Sequence, residues 1–175
     1  MYNVIYADPP WSYRDSGHTM KPGYRQMALD DICDMPINMI AAEDCALFLW
    51  AVSPLLPEAF QVIKAWGFEY KTVAFVWSKR TESHLPRHNP GQWTMGNVEI
   101  CLLGIKGRMH SKRIDKGVKQ LVEAPRTIHS RKPAAVRNRI VDLFGNLPRI
   151  ELFARERVSG WDAFGDELEN GNGNQ

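Results

Sequence analysis

Apolar residues fall into short runs separated by polar stretches rich in proline and glycine, the pattern of strands alternating with helices. Val4-Ile5-Tyr6-Ala7 is one such run, and it stops at Asp8-Pro9-Pro10. Residues 12–27, with Gly17, Pro22 and Gly23, read as a loop, and Leu29 to Met35 as a short helix with an acidic start. The run from Ala46 to Val52 is too short for a typical helix and predicts a strand buried on both faces. Pro54 or Pro57 opens a helix reaching Trp66, with Leu56, Phe60 and Ile63 on one face and Gly67 as its stop. Thr72 to Trp77 and Val98 to Ile105 predict two strands of a hairpin around a long polar loop, residues 79–96. Residues 106–120 are basic and irregular. Pro133 is expected at the first position of a helix lined by Val136, Ile140 and Leu143, and Ile150 to Ala154 is the last clear strand.

Strands separated by helices predict an α/β sheet with helices on both faces. Ligands of such sheets sit beyond the carboxyl ends of the strands, and Asp8, Lys79 and Arg155 each follow a strand. The length of 175 residues suits a single domain, expected over residues 1–168, and the Asn/Gly-rich segment 169–175 is expected to be disordered. A hydrophobic content of 44% and an aromatic content of 10% exclude a disordered chain. The net charge of +2 excludes a polyacid and a protein that binds by bulk charge alone. Cys33, Cys45 and Cys101 are odd in number and lack C-x-x-C spacing, which suits reduced thiols and no zinc ribbon. The N-terminus lacks the basic and apolar regions of a signal peptide, and no run approaches the ~18 apolar residues of a membrane span. A soluble cytoplasmic protein is expected. His84 and His88 are four apart, but Pro86 separates them and no third ligand follows, so no metal site is expected.

The densest chemical signal is Asp8-Pro9-Pro10-Trp11. Two prolines fix φ and remove two N–H donors, and the residue before a proline is pushed to an extended conformation. Asp8 is therefore held rigidly at a strand end, beside carbonyls that no proline can tie up. With Trp11 as a flat apolar surface, the group suits a planar molecule bearing an NH2. The plain alternative is a Pro-Pro turn with a capping Asp and a core Trp.

With these residues in view, the chain resembles the N6-adenine methyltransferases of the DPPW class. That family includes the catalytic subunit of the eukaryotic messenger-RNA adenosine methyltransferase and many short bacterial and phage members. The resemblance runs from Tyr6 to Leu168 through DPPW (8–11), ALFLWA (46–51), WGFEYKTVAFVWSK (66–79), CLLGIKG (101–107), APRTIHSRKP (124–133), IELFARER (150–157) and GWDAFGDE (160–167). It implies a Rossmann-like fold that uses S-adenosylmethionine, in the permuted order that places DPPW before the main cofactor-binding segment. It implies catalytic roles for Asp8, Pro9, Pro10 and Trp11, with Asp8 and the Pro9 carbonyl accepting the two N–H hydrogens of the target amine. By the same resemblance, Tyr24, Trp93, Asn97 and Glu99 lie near the target base. Asp8, Lys132, Phe153, Arg155, Arg157, Asp166 and Glu167 face the cofactor. The messenger-RNA enzyme has His and Asn where this chain has Arg157 and Val158, and an Asn-Gln pair where it has Asp166 and Glu167. An exposed turn Tyr24, an ordinary strand carboxylate at Glu99 and a solvated Lys132 are the bland alternatives. Cations disfavour helix N-termini, so Lys132 needs another reason for its place.

Charge is uneven. Residues 106–119 hold Lys106, Arg108, Lys112, Arg113, Lys116 and Lys119 against Asp115, and residues 126–139 add Arg126, Arg131, Lys132, Arg137 and Arg139. These segments suggest a phosphate-binding face. The expected activity is transfer of a methyl group from S-adenosylmethionine to adenine N6 in DNA, with site choice drawn from the 79–96 and 106–120 loops, from a homodimer or from a partner subunit. DNA is preferred over RNA by analogy with the compact bacterial and phage members. The rivals are the same chemistry on RNA and a non-catalytic nucleic-acid-binding subunit. No membrane or metal partner is expected.

Overall fold

The apolar runs become strands, and the patterned stretches between them become helices. A computed structural model of the protein describes residues 1–12, 26–91, 93–126 and 131–168, with only the backbone for Glu167. Seven strands, β1 (Tyr2–Ala7), β2 (Ala41–Ala51), β3 (Glu69–Arg80), β4 (Val98–Lys106), β5 (Leu121–Pro125), β6 (Arg149–Leu152) and β7 (Asp162–Phe164), pair in the order β5-β3-β4-β2-β1-β6-β7. The helices are α1 (Leu29–Cys33), α2 (Ile37–Ile40), α3 (Leu56–Ala65) and α4 (Ala134–Phe144). β4 is antiparallel to β2 and β3, and the remaining pairings are parallel. Six carboxyl ends and the start of β4 therefore share one edge.

Period-two alternation divides the core. Ile5, Ala7, Leu47, Leu49 and Ala51 pack with Ala59, Val62 and Ile63 of α3 and with Trp66. Val4, Tyr6, Ala46, Phe48 and Trp50 pack on the other face with Val136, Ile140 and Phe144 of α4. Helices cover both faces, as the alternation predicts.

Several local expectations change. Phe60, expected on the buried face of α3, is 41% exposed; the buried face is Ala59, Val62 and Ile63. Phe60 instead meets Tyr70 edge-on at 4.9 Å between ring centroids. Pro133 caps α4 from outside rather than occupying its first turn, and Phe144, not Leu143, completes the buried stripe. The strands β5 and β7 were not foreseen. Both are short edge strands whose few side chains do not form an apolar run. The expected loop at 12–27 and the expected disorder at 169–175 fall largely or wholly outside the described residues.

The end of β7 is pressed against the turn after β6. Ala154 donates its N–H to the Phe164 carbonyl at 3.0 Å. A Cβ at Gly165 would strike the Ala154 carbonyl oxygen and lie 2.7 Å from the Ala154 nitrogen. Both are backbone atoms with little room to yield. Gly165→Ala is therefore expected to cost about 2 kcal/mol through overpacking, read as a lower denaturant midpoint with an unchanged slope.

Candidate active site

β1 ends at Ala7, and alternation gives Asp8 the same face as Tyr6. The two prolines behave as expected in offering no donors, but their carbonyls are not wholly idle. Pro9 accepts the Trp11 N–H at 2.9 Å and Pro10 accepts the Met27 N–H at 2.9 Å. A carbonyl oxygen has two lone pairs, so each keeps capacity for a ligand. Trp11, expected as a flat apolar surface beside Asp8 or, in the plain alternative, as a core Trp, is a core residue. It is 6% exposed, and its indole N–H donates to the Trp50 carbonyl at 3.1 Å. Its ring is committed to packing under the corner.

Lys132 reaches Asp8 from the segment that leads into α4. Its Nζ lies 2.6 Å from Asp8 Oδ2 and 3.1 Å from Glu99 Oε2. Glu99 Oε1 is also 2.6 Å from Lys79 Nζ. The result is an alternating chain, Lys79–Glu99–Lys132–Asp8, along the carboxyl edge. Trp77 stands across from Glu99, and Trp50 across from Cys101, in the strand register, so indoles floor the chain. Lys132 sits 5.4 Å from the Trp50 ring centroid and Lys79 5.4 Å from that of Trp77. The Trp50 indole N–H donates to the Tyr6 hydroxyl at 2.7 Å, which ties the floor to β1.

The three partners titrate differently. Burial pushes the Asp8 carboxyl above the usual range, against the opposing pull of Lys132. Burial acts the same way on Glu99, but Lys132 and Lys79 together outweigh it and hold its carboxyl low. Burial works to lower the Lys132 ammonium, and Asp8 and Glu99 more than reverse this. Asp8 is thus the carboxylate of the chain nearest to taking a proton.

Beside this chain is a cleft between the ends of β1 and β6. It is lined by Asp8, Arg131, Lys132, Arg137, Glu151, Phe153, Arg155 and Glu156. This is where strand order reverses, from β1–β2 on one side to β6–β7 on the other. Arg137 bridges Glu151 and Glu156 at 2.9 Å each, and Arg131 reaches Glu156 at 3.0 Å. Phe153 has φ of +59°, which turns the chain sharply as it leaves β6.

Asp8, Glu99 and Lys132 are thus brought together, and Phe153 and Arg155 line the adjoining cleft. Arg157 is exposed and is not among the cleft residues; Asp166 is exposed on the short turn after β7. The Asn97 carbonyl accepts the Lys79 N–H at 2.8 Å at the root of the 81–97 loop, while Trp93 is 95% exposed near its tip. Tyr24 and the Glu167 side chain lie outside the described residues. Sequence reasoning gave no site role to Trp50, Glu151 or Glu156, assigned Arg137 only to the basic phosphate-binding face, and noted Lys79 only as a strand-end residue. One available signal was parity: Trp77 and Lys79, two apart on a strand, share a face.

The expected phosphate-binding face is rearranged. Lys106 stands across from Cys45 in the first half of β2, so residues 106–115 begin towards the edge opposite Asp8. There Asp44 accepts the Arg108 N–H at 2.7 Å and pairs with Lys112 at 3.2 Å. Arg139 donates to the Lys119 and Leu121 carbonyls at 2.7 and 2.6 Å. Much of the basic charge holds structure, and of the two long loops expected to choose the site only 81–97 stands on the Asp8 edge. Among the described residues, no group of three His, Cys, Asp or Glu side chains could hold a metal ion, and no helix is long and apolar enough to cross a membrane.

The MT-A70 family model matches residues 2–167. The chain is 36% identical to Type II methyltransferase M.MunI of Mycoplasma sp. over 187 aligned residues, covering 95% of this chain and 78% of that protein. It is 27% identical to an N(6)-adenosine-methyltransferase MT-A70-like protein of Arabidopsis thaliana, covering 95% of this chain and 24% of that one. It is 25% identical to the human N(6)-adenosine-methyltransferase catalytic subunit METTL3, covering 96% and 28%. The chain thus spans about a quarter of the plant and animal relatives and most of the mycoplasma one. A mostly parallel α/β sheet, an acid at its switch-point edge and a family match over nearly every residue lead to one conclusion: this chain is a methyltransferase of the MT-A70 family.

Proposed function

We propose that residues 1–168 form a methyltransferase domain that uses S-adenosylmethionine to methylate the exocyclic N6 of adenine in DNA. The observation that carries this reading is the Asp8 carboxylate, fixed at the switch point by Lys132 at 2.6 Å and opening onto the mixed-charge cleft. The greater likeness to a Type II methyltransferase than to the N(6)-adenosine-methyltransferases favours DNA.

The cleft suits the donor's chemistry. Its methionine end carries an ammonium and a carboxylate, and the cleft lining carries acids (Asp8, Glu151, Glu156) and cations (Arg131, Arg155). Phe153 and Arg155 follow β6, and Asp166 follows β7, where ribose hydroxyls would find acceptors and donors. When bound, the cofactor supplies an electrophilic methyl group on a sulfonium.

Adenine's exocyclic nitrogen is a weak nucleophile because its lone pair is delocalised into the ring. The Asp8 carboxylate and the second lone pair of the Pro9 carbonyl accept its two N–H hydrogens and direct the nitrogen lone pair outward. Lys132 opposes the effect of burial on Asp8 and so favours its charged form for this role. Once the nitrogen carries the methyl group it is acidic, and Asp8, raised by burial, is a competent proton acceptor. Catalysis is then mainly orientation and electrostatics. The target base must leave its stack to reach Asp8.

The test is incorporation of labelled methyl from S-adenosylmethionine into matched DNA and RNA oligonucleotides, followed by nucleoside analysis. N6-methyladenine in DNA is the expected product. Label confined to RNA, label on cytosine, or no label on either polymer overturns the reading.

A further inference from the structure

The four charged groups in the row at the carboxyl edge are not evenly spaced. Lys132 Nζ is 2.6 Å from Asp8 Oδ2, and Lys79 Nζ is 2.6 Å from Glu99 Oε1, whereas Lys132 and Glu99 are 3.1 Å apart. Two tight pairs are thus joined by a looser link. Each lysine also stands 5.4 Å from an indole centroid, Lys132 from Trp50 and Lys79 from Trp77. Two cations answer two carboxylates, so the row as a whole is balanced.

Lys79 lies at the far end of the row and meets Asp8 only through two other side chains. Resting on the reading of Asp8 as the group that grips the target amine, we infer that Lys79 is a positioning residue for methyl transfer, which occupies Glu99 and so leaves Lys132 to Asp8. Without that ammonium, two carboxylates would compete for one lysine. Lys132 would be drawn from Asp8 towards Glu99, and the amine-binding carboxylate would lose its cation.

Burial separates this role from a surface ion pair. The Lys79 and Glu99 side chains are 13% and 14% exposed, so water and salt screen their attraction little. Lys71 and Glu69, on the same strand and also 2.6 Å apart, are 43% and 75% exposed, where such a pair contributes little. The Lys79 backbone is held on both sides: its N–H donates to the Asn97 carbonyl at 2.8 Å, and its carbonyl accepts the Arg87 N–H at 3.0 Å. The ammonium is therefore delivered from a fixed main chain, against Glu99 and Trp77 and not towards a phosphate in solvent. The Glu99 carboxyl, held low by both lysines, titrates as one with a cation of its own. Asp8 itself is faced by Lys132, Glu99, Arg155 and Glu151, with Tyr6 and Cys101 buried behind it. Glu99 is the member of that set through which Lys79 acts.

Carbon-13 NMR of the Asp8 carboxyl in the free protein, assigned by its loss in Asp8→Asn, gives the midpoint of its titration. Lys79→Met should raise that midpoint by about one pH unit, the low end of what a nearby opposite charge does. Lys79→Arg, which keeps the charge, should leave it close to the wild type. Lys79→Gln keeps a donor for Glu99 without the charge, and should give the same shift if Lys79→Met does not fold. In a Glu99→Gln background, with no second carboxylate to occupy, loss of Lys79 should move the midpoint little. The acid limb of kcat, measured with S-adenosylmethionine and an adenine-containing DNA duplex, should follow the midpoint while KM for DNA holds. A lysine that only supports the fold would lower kcat equally at every pH, and one that binds phosphate would raise KM for DNA. Either result with the Asp8 midpoint unmoved overturns the inference. So does a shift as large in the Glu99→Gln background as outside it. A shifted midpoint in a protein that methylates neither DNA nor RNA defeats the proposed function and not the coupling. Methylation with an unshifted midpoint defeats the coupling and not the function.

Discussion

Asp8→Asn is expected to leave a folded protein that no longer transfers methyl groups. An amide matches the carboxylate in shape but offers a single weaker acceptor and cannot take the proton released after transfer. Removing one preorganised electrostatic contact of this kind typically costs about 10²–10³-fold in rate, and Asp8 serves both before and after the transfer. Stability should move the other way. Burial raises the Asp8 carboxyl against the pull of a charged Lys132. A folded-state pKa above the unfolded one contributes stability below the unfolded value and loses it as pH rises through the folded value. At neutral pH the ionised Asp8 therefore weighs against the fold, and the amide relieves it. The variant's melting temperature should equal or exceed that of the wild type at neutral pH, with the difference closing in acid where Asp8 is protonated. Donor binding measured by calorimetry should persist. Outright loss of donor affinity would move Asp8 from the amine to the donor site.

Lys132→Met attacks the same corner from its cationic side. The ammonium is held between Asp8 and Glu99, and its raised pKa means that its contribution is fully present at neutral pH. Removing one member of a buried ion pair leaves an uncompensated charge, with a cost on the order of 3 kcal/mol. Glu99 keeps Lys79, but Asp8 loses the cation that lowers its pKa. Its carboxyl therefore rises further, and the acid limb of the pH–rate profile moves to higher pH. Activity should fall steeply at neutral pH and recover in part as pH is raised, whereas Lys132→Arg, which keeps the charge, should shift the limb less. An acid limb that stays in place with Met at 132 would show that Lys132 does not set the charge of Asp8.

Legibility in the sequence followed the range of the interactions. β1 and β2 were readable because a strand buried on both faces must be apolar along its length, and Ala46 to Val52 is, while β3 was readable from its β-branched and aromatic run from Thr72 to Trp77. Asp8 was readable because Pro9 and Pro10 constrain it through covalent geometry alone. The buried face of α3 was misread at Phe60 because helical periodicity allows neighbouring stripes. Only the docking of α3 on the sheet selects Ala59, Val62 and Ile63. The basic segments were read as one face because charge runs carry no direction. The fold sends 106–115 to the far edge and spends Arg137 and Arg139 on Glu151, Glu156 and backbone carbonyls. Trp11 shows the same limit, since an aromatic beside a carboxylate reads alike whether its ring is packed or open.

The sequence by itself determined the α/β alternation, the rigid acid at the end of β1 and, through its motifs, the family. Each depends on residues adjacent in the chain or on a pattern that local geometry enforces. Tertiary structure alone decided that Lys132, distant in sequence from Asp8, closes on it, that Glu99 takes a second lysine across a hairpin, and that Trp11 is packed while Trp93 is not. Those outcomes depend on strand register and crossover path. Both are set by how the two apolar faces of the whole sheet are covered, and no single segment contains that information.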